Sequence, residues 1–215
     1  MVRALGWLTV AGLLAGLVMA FGVAPREVTQ GNVQRIMYLH VPSVWVAYLA
    51  FAVVLVASIV YLARRLDGAD RLAHASAEVG VLFTGLTIAT GSIWGKPTWG
   101  TWWTWDARLT SVSILFVMYL GYLLLRGMIE DPERGARYAA VLGIVAAFNI
   151  PLVHFSVYWW RTLHQPPSLM RPGPGTMPGV IVAALLVNFA AFTLLYVYFV
   201  TRRTRVLRLE AEAEA

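Results

Sequence analysis

Six apolar stretches, each near 20 residues and nearly free of charge, set the limits on what this chain can become. Transmembrane helices need about 20 such residues, at roughly 1.5 Å per residue across a hydrocarbon core of about 30 Å. The stretches run from about Ala4 to Ala24, Pro42 to before Arg64-Arg65, Ala77 to Ile93, Leu109 to Leu125, Tyr138 to Tyr158, and Gly179 to Thr201. Of the 215 residues 59% are hydrophobic and 13% charged, so a water-soluble domain would expose too much apolar surface. The expected fold is all-α: one six-helix membrane domain over residues 1–215, with no soluble domain and no internal repeat. Arg3, an apolar core and small residues near 20–24 also resemble a signal peptide, but the apolar stretch exceeds the usual length, and a span is expected.

Basic residues orient the spans. With six crossings both termini share a side. That side carries Arg3, Arg64, Arg65, Arg71, Arg126, Arg134, Arg137, Arg202, Arg203, Arg205 and Arg208, 11 against the 6 of the other side (Arg26, Arg35, Lys96, Arg108, Arg161 and Arg171). Cytoplasmic loops carry the excess, so both termini are expected in the cytoplasm. The net charge of +6 serves topology, and no nucleic-acid partner is expected. The absence of cysteine excludes disulfides, thiolate metal sites and thiol nucleophiles.

Chemistry concentrates on the outer side. Five of the nine tryptophans, Trp94, Trp99, Trp102, Trp103 and Trp105, lie in one segment expected as an outer loop over 94–111. Tryptophan at an interface is ordinarily an aromatic belt, which accounts for Trp45, Trp159 and Trp160 but poorly for five within twelve residues. Pro42 suits the first turn of a helix and puts His40 at that helix mouth. The Pro166-Pro167 pair stops any helix and leaves His164 at a similar depth. Each histidine alone reads more readily as a capping or hydrogen-bonded residue than as a ligand. Together, flanking an aromatic shelf, they suit heme, whose iron takes two axial imidazoles and whose flat macrocycle stacks on indoles. Lys96, Arg108 and Arg35 or Arg161 are the candidate partners for its propionates, against only Glu27 and Asp106 as outer acids. Asp106 is placed to cap the fourth span, with pairing to Arg108 as an alternative. His154, inside the fifth span, is a candidate for a supporting role, with a kink expected at Asn149 and Pro151. His74 reads as exposed in a cytoplasmic loop. The Pro- and Gly-rich stretch from Gln165 to Gly179 is expected to be irregular, and the tail from Arg202 a short amphipathic or frayed helix.

W-G-K-P-T-W-G-T-W-W-T-W-D-A-R-L-T-S at 94–111 resembles the WWD signature of heme-handling membrane proteins. With I-M-Y-L-H-V-P at 36–42 and S-V-Y-W-W-R-T-L-H-Q at 156–165, the chain resembles the CcmC family of cytochrome c maturation, over about Gly31 to Gln165. The resemblance implies a non-enzymatic protein of the bacterial cytoplasmic membrane that binds heme b (iron protoporphyrin IX) on the outer face. It implies His40 and His164 as axial ligands and the WWD segment as both heme edge and docking surface. The implied partners are a periplasmic heme chaperone of the CcmE type, the subunits of an ABC-type transporter, and membrane lipid. The alternatives are a WWD-type heme lyase or an electron-transferring membrane cytochrome, which would need more spans or ligands deep within them. A small-molecule permease would need midplane polar groups, of which Asn149 with Pro151 is the only hint.

Overall fold

The computed structural model describes residues 2–166 and 177–214. Seven α-helices build six spans: α1 (Val2–Val18), α2 (Met37–Arg64), α3 (Asp67–Trp99), α4 (Ala107–Met128), α5 (Pro132–Ala147), α6 (Asn149–Trp159) and α7 (Gly179–Glu214). Six helical segments are long and apolar enough to cross a membrane, with α5 and α6 together forming the fifth. The described residues contain no β-strand. Nearly all of Arg171's loop, residues 167–176, lies outside the described residues, and with it most of the expected irregular Pro- and Gly-rich stretch.

The helices extend beyond the apolar stretches because charge ends a hydrophobic run without ending a helix. α3 begins at Asp67, ten residues before the expected start, with Asp67 and Asp70 favouring its N-terminal dipole. Only Arg65 and Leu66 separate it from α2, and Arg65, at φ 54°, turns the chain in a left-handed conformation. His74, expected in an exposed loop, is therefore helical, its Nε2 3.3 Å from Glu78. The tail from Arg202, expected as a short amphipathic or frayed helix, is helical and continues α7 unbroken to Glu214. α2 starts at Met37, preceded by a 3-10 turn over Val33–Ile36, so Pro42 lies inside the helix instead of in its first turn. The 94–111 segment is loop only between α3 and α4: Trp94 to Trp99 close α3, and Gly100, at φ 79°, ends it. The expected kink in the fifth span is present. Pro151 has no N–H for the carbonyl of Ala147, and Asn149 Nδ2 donates to the Ser111 carbonyl of α4 at 2.8 Å.

Small residues and short polar links join the spans, as apolar lipid gives helices no hydrophobic reason to associate. Phe51 stacks on Tyr119 at 3.6 Å between centroids, with Gly80 leaving room: a Cβ there would clash with the Phe51 ring. Tyr119 OH donates to the Gly143 carbonyl, and Ser76 bridges the Ala50 carbonyl and Tyr196 OH. α1 is held to α7 by Thr9, which reaches the Leu194 carbonyl, and by Asn188, which donates to the Gly16 carbonyl. Near the chain termini, Arg126 grips Asp70 with both nitrogens at 2.6 and 2.7 Å, and Arg203 grips Glu78 at 2.6 and 2.9 Å.

A cavity between two histidines

At the other end of the bundle the start of α2, the end of α3, the start of α4, the end of α6 and the start of α7 surround a cavity of about 1040 Å³. That is at the upper end of the roughly 300–1,000 Å³ common for ligand and cofactor sites. Its wall is mainly apolar: Leu109, Val112 and Leu115 from α4, Val153 from α6, Leu185 and Phe189 from α7.

His40 and His164 both line it. His40 is buried, and its Nδ1 lies 3.0 Å from Thr90 Oγ1. The Thr90 hydroxyl donates its one proton back along α3, at 2.7 Å to the Leu86 carbonyl, so it accepts from His40. This makes His40 the Nδ1–H tautomer and leaves the Nε2 lone pair free. His164 reaches the same state by another route, its Nδ1 lying 2.7 Å from the Gln165 carbonyl, which can only accept. Neither Nε2 has a protein partner among the described residues. Burial, reinforced by the Arg108 guanidinium, holds the His164 imidazole down at about 4, against 6.5 for an ordinary histidine. It is therefore neutral at physiological pH.

Tryptophans abut both rings. Trp94 meets His40 edge-on at 5.8 Å, and Trp99 meets His164 edge-on at 6.1 Å. Trp94 is itself anchored by a 2.9 Å hydrogen bond to Gln30 Oε1. Gly91 leaves space beside His40, since a Cβ there would lie 3.0 Å from Cε1 of the ring. The polar side of the cavity holds Arg108, whose Nη1 donates to the Val153 carbonyl and which pairs with no carboxylate among the described residues. The Trp103 indole N–H and the Tyr48 hydroxyl are buried without partners, and both residues line the cavity.

Of the residues singled out from sequence, His40, His164, Trp94, Trp99, Trp103 and Arg108 meet at this cavity. His154 also lines it, edge-on to Tyr48. Trp102 and Trp105 stand outside, 56% and 75% exposed. Lys96 donates to the Gly100 carbonyl and closes the end of α3. Arg35 holds the carbonyls of Ala20 and Ala24, tying the 3-10 turn before α2 to the end of the π-helical turn Met19–Val23 that closes the first span. Arg161 is exposed. Asp106 caps α4 as expected, Oδ1 accepting from the Arg108 and Leu109 amides, and it makes no pair with the Arg108 side chain. Its Oδ2 accepts from the Leu163 amide at 3.0 Å, holding the segment that carries His164. Asp106→Ala is expected to lower stability by about 0.5–2 kcal/mol, the range for a lost N-cap. Thermal unfolding in detergent reads that loss, and an unchanged midpoint would show that the cap contributes nothing.

Thr87, Thr90 and Gly91 were missed by sequence reasoning, although a signal existed for Thr87 and Gly91. Thr84, Thr87, Gly91, Trp94 and Thr98 recur every three or four positions and form one stripe along α3, all of it lining the cavity.

The fold and this site define a polytopic membrane protein that gathers histidine and tryptophan around an apolar cavity at one end of its helix bundle. The family model described as "CcmC: Heme exporter protein C" matches residues 1–215. The chain belongs to the CcmC family. It is 46% identical over 211 residues to heme exporter protein C of Bradyrhizobium diazoefficiens, covering 96% of this chain and 80% of that one. Identity to heme exporter protein C of Haemophilus influenzae is 38% over 208 residues, covering 97% and 85%. A cytochrome c biosynthesis ccmC-like mitochondrial protein of Marchantia polymorpha is 37% identical over 185 residues, covering 86% and 78%. With six membrane-crossing helices and these bacterial relatives, the chain is a multi-pass protein of the inner membrane.

Proposed function

We propose that the chain binds heme b in this cavity, with His40 and His164 as its two axial ligands, and delivers it to a partner during maturation of c-type cytochromes. The observation that carries this reading is the matched pair of imidazoles. Both line one apolar cavity, and both commit Nδ1–H to a protein acceptor, as metal-bound histidines ordinarily do. The donor set fits iron protoporphyrin: two neutral imidazoles for the metal, indoles for the macrocycle, and Arg108 with the unpartnered Trp103 N–H for a propionate.

Each residue then has a defined task. Thr90 and the Gln165 carbonyl hold the ligand tautomers. Trp94 and Trp99 pack beside the ligands. Asp106 keeps the His164 segment against α4. Trp102 and Trp105, exposed beside the cavity, offer an apolar surface on which a periplasmic heme chaperone of the CcmE type docks. The excess of arginine at the opposite end supports an outward-facing cavity and cytoplasmic termini. The role is binding and delivery alongside ABC-type transporter subunits, because nothing in the sequence supplies a nucleotide-binding loop.

Hemin titrated into the purified chain in mild detergent tests the reading. A saturable six-coordinate low-spin spectrum is expected in both oxidation states, whereas loose high-spin heme alone would overturn the two-histidine site. The pH dependence has a defined sign. The lowered value of His164 keeps its ligand lone pair free well below the ordinary histidine range. Hemin affinity is expected to stay level from pH 8 to near 5 and to fall as the pH approaches about 4. Over the same window, from 6.5 down through about 4, an unfolded His164 takes up a proton that the folded one refuses, so its contribution favours unfolding increasingly with acid. A binding midpoint near 6.5 would show that His164 is not held neutral.

A further inference from the structure

A second cavity, of about 660 Å³, lies between α1 and α7 at the end of the bundle opposite the histidines. Its lining is graded. Toward the middle of the spans it is apolar, with Val10 and Leu13 of α1 facing Leu195 of α7. Tyr198 follows, admitted close to α1 by Gly6, where a Cβ would lie 3.2 Å from the Tyr198 ring. Arg3, Arg202 and Arg205 complete the end of the cavity. The grading follows from the helices: Leu195, Tyr198, Arg202 and Arg205 recur every three or four residues and so share one face of α7. The neighbouring Arg203 and Arg208 are paired with glutamates, but Arg3, Arg202 and Arg205 have no carboxylate partner among the described residues. Three arginines line this end of the cavity with no carboxylate partner among the described residues, beside an apolar groove between two membrane spans, with Trp7 exposed on the same stretch of α1.

We propose that this cavity binds an anionic phospholipid, with Arg3, Arg202 and Arg205 on the headgroup phosphate and the α1–α7 groove holding an acyl chain. The guanidinium cluster matches phosphate chemistry, and the continuous passage from cation to aromatic to aliphatic wall matches the order of groups along a phospholipid. Thr9, itself in the lining, reaches the Leu194 carbonyl, and Asn188 donates to the Gly16 carbonyl, so α1 and α7 are hydrogen-bonded to each other along this seam.

The test uses the full chain, delipidated in detergent. Phosphatidylglycerol, phosphatidylcholine and inorganic phosphate are added separately, with bound lipid counted by native mass spectrometry and unfolding followed thermally. Phosphatidylglycerol is expected to bind at one site and raise the unfolding midpoint, with phosphatidylcholine and phosphate doing neither at equal concentration. The Arg202→Gln/Arg205→Gln double variant is expected to bind it about tenfold or more weakly. Arg202→Lys/Arg205→Lys keeps the charge and is expected to retain most of the binding. Arg64→Gln, which removes an exposed cation at the same end, is expected to change nothing. Equal binding of phosphatidylcholine, equal stabilisation by phosphate, an unaffected glutamine double variant, or an equal loss in Arg64→Gln would each overturn the proposal.

Discussion

Hemin added to the His40→Ala or His164→Ala variant is expected to give no six-coordinate low-spin spectrum, with affinity falling more than about 100-fold. Loss of a partner behind a ligand typically costs 10–100-fold, and loss of the ligand itself should exceed that range. The two variants should fail differently. His40 is buried at the start of α2, with Trp94 at its edge and Gly91 beside its ring, so its removal opens a void in a packed wall. His164 sits on a short segment held through Asp106 and Leu163, and its removal leaves the helices undisturbed. Thr90→Val supplies the intermediate case. It keeps the shape of the side chain but removes the hydroxyl 3.0 Å from His40 Nδ1, loosening the hold that fixes which nitrogen faces the cavity. A loss of 10–100-fold with a shifted spectrum is expected there. Identical spectra in the wild type and both histidine variants would remove the ligand assignment, leaving the cavity to be explained by its indoles alone.

Arg126→Ala is expected to lower stability by about 3–5 kcal/mol, the largest effect of any change away from the cavity. Arg126 and Asp70 are each only about 15% exposed and meet through two parallel hydrogen bonds that join α3 to α4. Removing one partner leaves the other charge buried without compensation, which is the costly case. The double variant Arg126→Leu/Asp70→Leu removes both charges and fills their place with apolar atoms. It is expected to recover most of the loss, and thermal midpoints of the three variants in detergent measure this directly. A single variant costing under about 1 kcal/mol would mean that water screens the pair as it does an ordinary surface bridge.

The spans, the kink at Asn149 and Pro151, and the Asp106 cap were legible from sequence because each rests on local causes. Apolar length, a missing proline N–H and a carboxylate preceding a helix act within a few residues. Helix ends were less legible. The start of α3 lies in a charged stretch, where hydropathy falls while helical hydrogen bonding continues through Asp67 and Asp70. The roles of the outer cations divided for a similar reason. Arg35, Lys96 and Arg108 look alike as charges on one side of a membrane, yet Arg35 ends on the carbonyls of Ala20 and Ala24, Lys96 on Gly100, and only Arg108 at the cavity. Which acceptor a long side chain reaches depends on helix packing, and no spacing in the sequence encodes it.

By itself the sequence determined the medium, the number of crossings, the concentration of tryptophan at one end and the two histidines as ligand candidates. These follow from composition and short-range pattern, which survive any arrangement of the helices. Only the tertiary structure decided that Thr90, fifty residues from His40, selects its tautomer, and that the α3 stripe from Thr84 to Thr98 faces inward. It alone separated the tryptophans lining the cavity from those exposed beside it. Those outcomes depend on how α2, α3, α4, α6 and α7 meet. A helix turns its side chains through about 100° per residue, so a small change in packing would bring a different set of them together.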